Sequence, residues 1–177
     1  MNKKLLATLV LFLPLVAHGH GPTPQKIEET IVIDASPDAV WAVVGKFGEI
    51  EGWHPTVKKS VPSGEHEQAG ASERDLTLEN DEVVGESLDQ YEPEQHHLAY
   101  RLLRENLEAL PVSFYSADMQ LTATDGGTKV SWSARFYRGD TGNFPPEDLN
   151  DQAAIDALTE FFQSGLQGLK KRVESDT

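Results

Sequence analysis

The last regular segment of the chain constrains its architecture most. Gln152–Val173 repeats Ala154, Ile155, Leu158, Phe161, Phe162, Gly165, Leu166, Leu169 and Val173 on one face, a sustained helical period. Lys170, Lys171 and Arg172 stand where the negative end of the helix dipole favours cations. Asn150 or Asp151 is suited to cap its start. Most of the regular segments before it read as strands. Lys26–Asp34, Val57–Pro62, Ala71–Leu78, Val83–Leu88, His97–Arg104, Val112–Thr124 and Lys129–Arg138 predict seven strands. Asp125-Gly126-Gly127 is a strong hairpin signal between the last two. Several other connections are also of hairpin length, which predicts an antiparallel sheet. One helix cannot cover seven strands laid flat. A strongly twisted sheet wrapped around the helix buries its apolar face and leaves a hollow between the two. The expected class is therefore α+β, a curved seven-stranded antiparallel sheet around a long C-terminal helix, with two short helices after the first strand.

Those short helices lie in Pro37–Gly52. Ser36 is a suitable N-cap, Pro37 suits the first helical position, and Asp38 sits near the positive helix end. Val40, Trp41, Val43, Val44 and Phe47 form the apolar face, and Gly45 and Gly48 interrupt the run. A second turn, Glu49–Gly52, ends in Trp53-His54-Pro55. Asp89–Gln95, with Pro93, is expected to be a loop.

Charge and composition exclude several roles. The chain has 177 residues, enough for one domain with a real core. It has no cysteine, which removes disulfides and thiolate metal sites. A formal charge of −14 argues against nucleic acid as a partner and against docking on anionic membranes. Met1–Gly19 has the physics of a signal peptide: Lys3 and Lys4, then the apolar run Leu5–Ala17, too short to span a bilayer. Cleavage after Gly19 or after Ala17 both fit the small residues there. Cleavage after Gly19 takes the charge to −16 by removing Lys3 and Lys4. The mature protein is expected in the periplasm, without stable membrane insertion. His20–Gln25 reads as a Pro/Gly arm, and residues 26–174 as the folded domain.

The element order, Ser-Pro-x-x-Val-Trp at residues 36–41, Val-Gly-x-Phe-Gly at 44–48, Trp53-His54-Pro55 and Leu110–Tyr115 (LPVSFY) together resemble the START-like polyketide cyclase/dehydrase superfamily. The resemblance implies the helix-grip fold over nearly the whole mature chain. It leaves function open, because that superfamily hosts cyclases, hydrolases, hormone receptors and lipid carriers. The exported start HGPTPQK, residues 20–26, also resembles the periplasmic accessory proteins of bacterial methanol oxidation. That likeness implies a periplasmic dehydrogenase and its cytochrome c acceptor as partners.

Strand phase and the superfamily pattern together nominate Trp53, His54, Leu76, Leu78, Glu86, Tyr100, Leu102, Val112, Tyr115, Phe161, Phe162 and Leu166 as lining a mostly apolar pocket for a small hydrophobic ligand. For any single aliphatic member, plain core packing is the simpler reading. Glu86 is in phase with Leu88, and a buried carboxylate needs a partner or a proton. Arg74, Arg101 and Arg135 are the available partners, and phase does not choose Arg135 over its neighbours Trp132 and Phe136. His54 as a general base needs an orienting carboxylate. The simpler reading is structural, with Trp53 anchoring the loop and the His54 ring bonded to backbone at the cavity mouth. No residue is assigned as catalytic. His96 and His97 point to opposite sides of a strand and His66 is alone, so no metal site is expected. The one exception arises if cleavage exposes His18-Gly19-His20, a start able to bind copper or nickel. No phosphate loop, nucleophile elbow or zinc-protease helix is present, and no cofactor is expected. The loop Gly139–Glu147, with Phe144 beside Pro145-Pro146, is either a docking surface or a long connection.

Three functions follow, in order: a non-enzymatic accessory protein, a carrier of a small hydrophobic molecule, and a cyclase- or hydrolase-like enzyme using His54 or Glu86.

Overall fold

The computed structural model describes residues 21–175. The leader Met1–Gly19, both cleavage positions and the His18-Gly19-His20 start lie outside the described residues.

Seven strands form one antiparallel sheet: β1 (Gln25–Ile33), β2 (Val57–Gly64), β3 (Ser72–Leu78), β4 (Val83–Glu92), β5 (His97–Arg104), β6 (Val112–Thr124) and β7 (Gly127–Arg138). Their order is β1-β7-β6-β5-β4-β3-β2, so consecutive strands pair except where β1 returns to β7. Two α-helices complete the chain: α1 (Pro37–Val44) after β1 and α2 (Asp151–Glu174) at the end. Ser36 Oγ accepts from the Ala39 N–H at the start of α1, and Asn150 Oδ1 accepts from the Ala153 N–H at the start of α2. Both caps satisfy N–H groups that a helix start leaves without partners.

The α+β helix-grip expectation holds. The core lies between the concave face of the sheet and α2, whose Ala154, Leu158, Phe161, Phe162, Leu166, Leu169 and Val173 are buried. Alternation carries β3 and β7: Ser72, Arg74, Leu76 and Leu78 face inward on one, and Val130, Trp132, Ala134 and Phe136 on the other.

Of three local features, one corrects an expectation, the loop from Asp89, and two add detail to elements already expected. The second short helix is a 3-10 turn, Phe47–Gly52, kinked at Glu49 (φ −110°, ψ 29°). Its Gly48 packs on Pro62, where a Cβ would lie 2.7 Å from the proline Cβ. The expected loop from Asp89 begins later, because β4 continues through a bulge between Leu88 and Gln90 to Glu92. That extension seats Tyr91 beside Trp41, ring centres 5.5 Å apart. Finally, Val112 and Tyr115 both point inward despite their odd spacing, because a bulge between Val112 and Phe114 shifts the register by one.

Candidate functional site

The polar atoms inside the grip converge on one ion pair. Cross-strand register sets Arg74 of β3 opposite Glu86 of β4, and both point into the core at 4% and 1% exposure. Arg74 Nε donates to Glu86 Oε2 at 2.5 Å, and Nη1 donates to the Phe47 carbonyl at 2.6 Å. The guanidinium lies 4.0 Å from the Phe47 ring centre and 5.0 Å from that of Tyr100. The Tyr115 hydroxyl donates to Glu86 Oε1. Trp132 Nε1 donates to the Tyr100 hydroxyl at 3.0 Å. Two charges this deep lose several kcal/mol of hydration each, which only such complete partnering offsets. Burial, and then the Glu86 charge, push the Tyr115 phenol well above its ordinary value and raise Tyr100 likewise, so both stay protonated. Arg74 is the partner among the three arginines considered. Arg101 pairs with Asp89 near the surface, and Arg135 is exposed while Trp132 and Phe136 face inward.

Beside this network lies an aromatic group. The His54 ring packs 4.0 Å from Phe161 and edge-on to Trp132, and Trp132 stacks on Phe162 at 4.2 Å. Gly165 of α2 makes the room, since a Cβ there would fall 2.5 Å from His54 Cδ2. His54 is 1% exposed, so it sits below the rim expected for it. Its Nδ1 accepts from the Thr56 backbone N–H and lies 3.1 Å from the Thr56 hydroxyl. Burial first, and the Arg74 charge second, lower its pKa to about 3, while the main chain at Phe161 pulls the other way. That pull falls short of a bond: His54 Nε2 and Trp53 Nε1 are both buried without hydrogen-bond partners.

All twelve candidates are buried on the inner side. The structure brings Glu86, Tyr100 and Tyr115 together around Arg74, and Trp53, His54, Phe161 and Phe162 together around Trp132. Leu78 and Phe161 also edge a shallow mouth of about 220 Å³ with Thr56, Ala109, Leu110 and Ala157. Leu76, Leu102, Val112 and Leu166 are core hydrophobics. Sequence reasoning left Phe47 and Trp132 out of the site. The alternation Val130, Trp132, Ala134, Phe136 was the signal for Trp132. Nothing local marked the Phe47 carbonyl as an arginine ligand.

The expected hollow is filled by side chains. Between Phe47, Trp53, Arg74, Tyr100, Met119 and Trp132 the remaining void is about 10 Å³, close to the space of one water molecule. Among the described residues no cluster of three or more His, Cys, Asp or Glu could hold a metal ion. His96 Nε2 lies 2.8 Å from Asp38 at the start of α1, and His97 sits between Glu92 and Asp118.

Residues 24–174 match the family model described as polyketide cyclase/dehydrase and lipid transport. No curated protein sequence matches the chain. Several solved structures share the fold. The protein XoxI from Bacillus cereus superposes with a TM-score of 0.68 at 21% identity, over 82% of this chain and 93% of that one. The Zhui aromatase/cyclase from Streptomyces sp. R1128 gives 0.68 at 18% identity, over 86% and 94%. Norcoclaurine synthase from Thalictrum flavum gives 0.65 at 14% identity, over 97% and 98%. Identities this low speak to the fold alone.

Proposed function

The chain belongs to the polyketide cyclase/dehydrase and lipid transport family, and from that membership and the state of its interior we propose that it works without catalysis. Membership places it among ligand-binding and cyclase-like helix-grip proteins. Our reading is an exported accessory protein that binds a periplasmic dehydrogenase and its cytochrome c acceptor and supports methanol oxidation.

One observation carries the non-catalytic half: the interior acid–base groups are committed to the fold. Glu86 has an oxygen on Arg74 and the other on Tyr115. His54 is a neutral ring wedged among aromatics, with a pKa of about 3. A general base must reach a substrate proton at hydrogen-bond distance; Glu86 is 1% exposed, and His54, also 1% exposed, lies at the floor of an open surface pocket of about 330 Å³ beside Trp53 and Pro55. The partner half is supported by the leader, the HGPTPQK start and the strongly negative charge. Co-purification of the mature chain with methanol dehydrogenase or its cytochrome c is the test. Binding that weakens with salt is expected; no binding to either protein at low ionic strength sinks the reading.

A second reading, a carrier of a small hydrophobic molecule, requires the packed interior to open, and it has one observation in its favour. Trp53 Nε1 and His54 Nε2 are buried polar atoms without partners, the kind of group a ligand could satisfy. Native mass spectrometry of protein from its own host would show the bound mass; a bare chain mass would count against it.

A further inference from the structure

The loop between β7 and α2 presents an exposed aromatic on a fixed frame. Arg138 at the end of β7 clamps it at three points. Nε donates to the Asp140 carbonyl at 2.7 Å, Nη2 to the Gly142 carbonyl at 2.8 Å, and Nη1 to Asp151 Oδ2 at 3.0 Å. The Asp140 carboxylate accepts from the Gly142 N–H at 2.6 Å. The far end closes by Asp140 N–H to the Leu149 carbonyl and Leu149 N–H to the Pro146 carbonyl. Pro145 restricts the backbone of Phe144 to extended conformations. On this frame Phe144 is 95% exposed, far more than the other exposed large hydrophobic residues.

The sequence that follows it is acidic. From Gly139 to Leu169 the chain carries six carboxylates and no lysine or arginine. Glu147 and Asp148, immediately after Pro146, are exposed and make no ion pair among the described residues. The one cation at the loop, Arg138, is already joined to Asp151.

The geometry points to Phe144 and its acidic flank as a docking surface for a protein that offers a positively charged face with an apolar pocket. The ring supplies the apolar anchor on a framed loop, with its own side-chain torsions still to be ordered on binding, and the carboxylates steer and orient the encounter. The inference deepens the accessory reading and rests on it for its probes, methanol dehydrogenase and its cytochrome c purified from the same host.

The experiment measures binding kinetics of the mature chain to each probe at low and high ionic strength. Phe144→Ala is expected to weaken binding at least tenfold with an unchanged melting temperature, since the ring touches so little of its own fold. Glu147→Gln with Asp148→Asn is expected to slow association and flatten its salt dependence. Val61→Ser, at 44% exposure on edge strand β2, is expected to bind like the wild type. If Phe144→Ala binds within twofold of the wild type, or Val61→Ser weakens as much, the docking surface is overturned while the accessory reading stands. If the wild-type chain binds neither probe at low ionic strength, both fall together.

Discussion

Glu86 shows how much one side chain's position decides. Among the described residues its carboxylate is the only acidic group in the core, and its two oxygens are held by Arg74 and Tyr115. Replacing both charged partners with apolar groups of similar size is often tolerated, whereas removing one leaves the other stranded. Glu86→Gln is therefore expected to destabilise the fold by about 3 kcal/mol, because the Arg74 guanidinium keeps its charge at 4% exposure. Arg74→Met combined with Glu86→Leu should recover about half of that loss, leaving the Tyr115 hydroxyl and the Phe47 carbonyl without these partners, about 1–2 kcal/mol. Urea unfolding midpoints of the three proteins test this. A Glu86→Gln variant as stable as the wild type would mean that water reaches Arg74. At this scale the sequence was partly legible. The phase of Arg74 with Leu76 and Leu78 placed it inward, but three arginines remained eligible for Glu86. Only the β3–β4 register, which sets Arg74 opposite Glu86, chose among them.

At the scale of elements, α2 works through what it lacks. Glycine in a helix interior ordinarily costs about 1 kcal/mol relative to alanine. Here Gly165 and Gly168 let the Trp53-His54-Pro55 segment lie directly on the helix. A Cβ on Gly168 would fall 2.0 Å from the Trp53 carbonyl oxygen, which is backbone and cannot rotate away. Gly168→Ala should thus reverse the usual sign and destabilise by about 2 kcal/mol, seen as a lower melting temperature. A raised melting temperature would show that the segment can lift off the helix. The helix and all seven strands were readable from period alone. Their irregularities were not: the β4 and β6 bulges and the 3-10 turn arise where packing outweighs local pattern, and each re-aims side chains at the core. Asn150 rather than Asp151 caps α2, a choice that local sequence left open.

For the whole molecule, the filled interior predicts a pH signature. Unfolded, His54 takes up a proton near its ordinary value of 6.5; folded, burial and Arg74 keep the ring neutral down to about 3. Between those limits the unfolded state binds more protons, so the contribution of His54 is complete above pH 6.5 and is lost on acidification, by about 1.4 kcal/mol per pH unit. Unfolding free energies of His54→Gln should fall less steeply than those of the wild type across this window. Equal slopes would remove His54 as the cause. The sequence by itself determined the curved sheet, the gripping helix and the inward positions on that helix, on β3 and on β5. Hydrophobic period and turn chemistry are local properties, and these elements are built from them. Tertiary structure alone decided that the grip is filled and not hollow, that His54 is sealed beneath its rim, and that Glu86 is fully partnered. Those outcomes depend on volumes and distances between residues far apart in the chain. A one-dimensional pattern says which residues face inward but not how much room they leave.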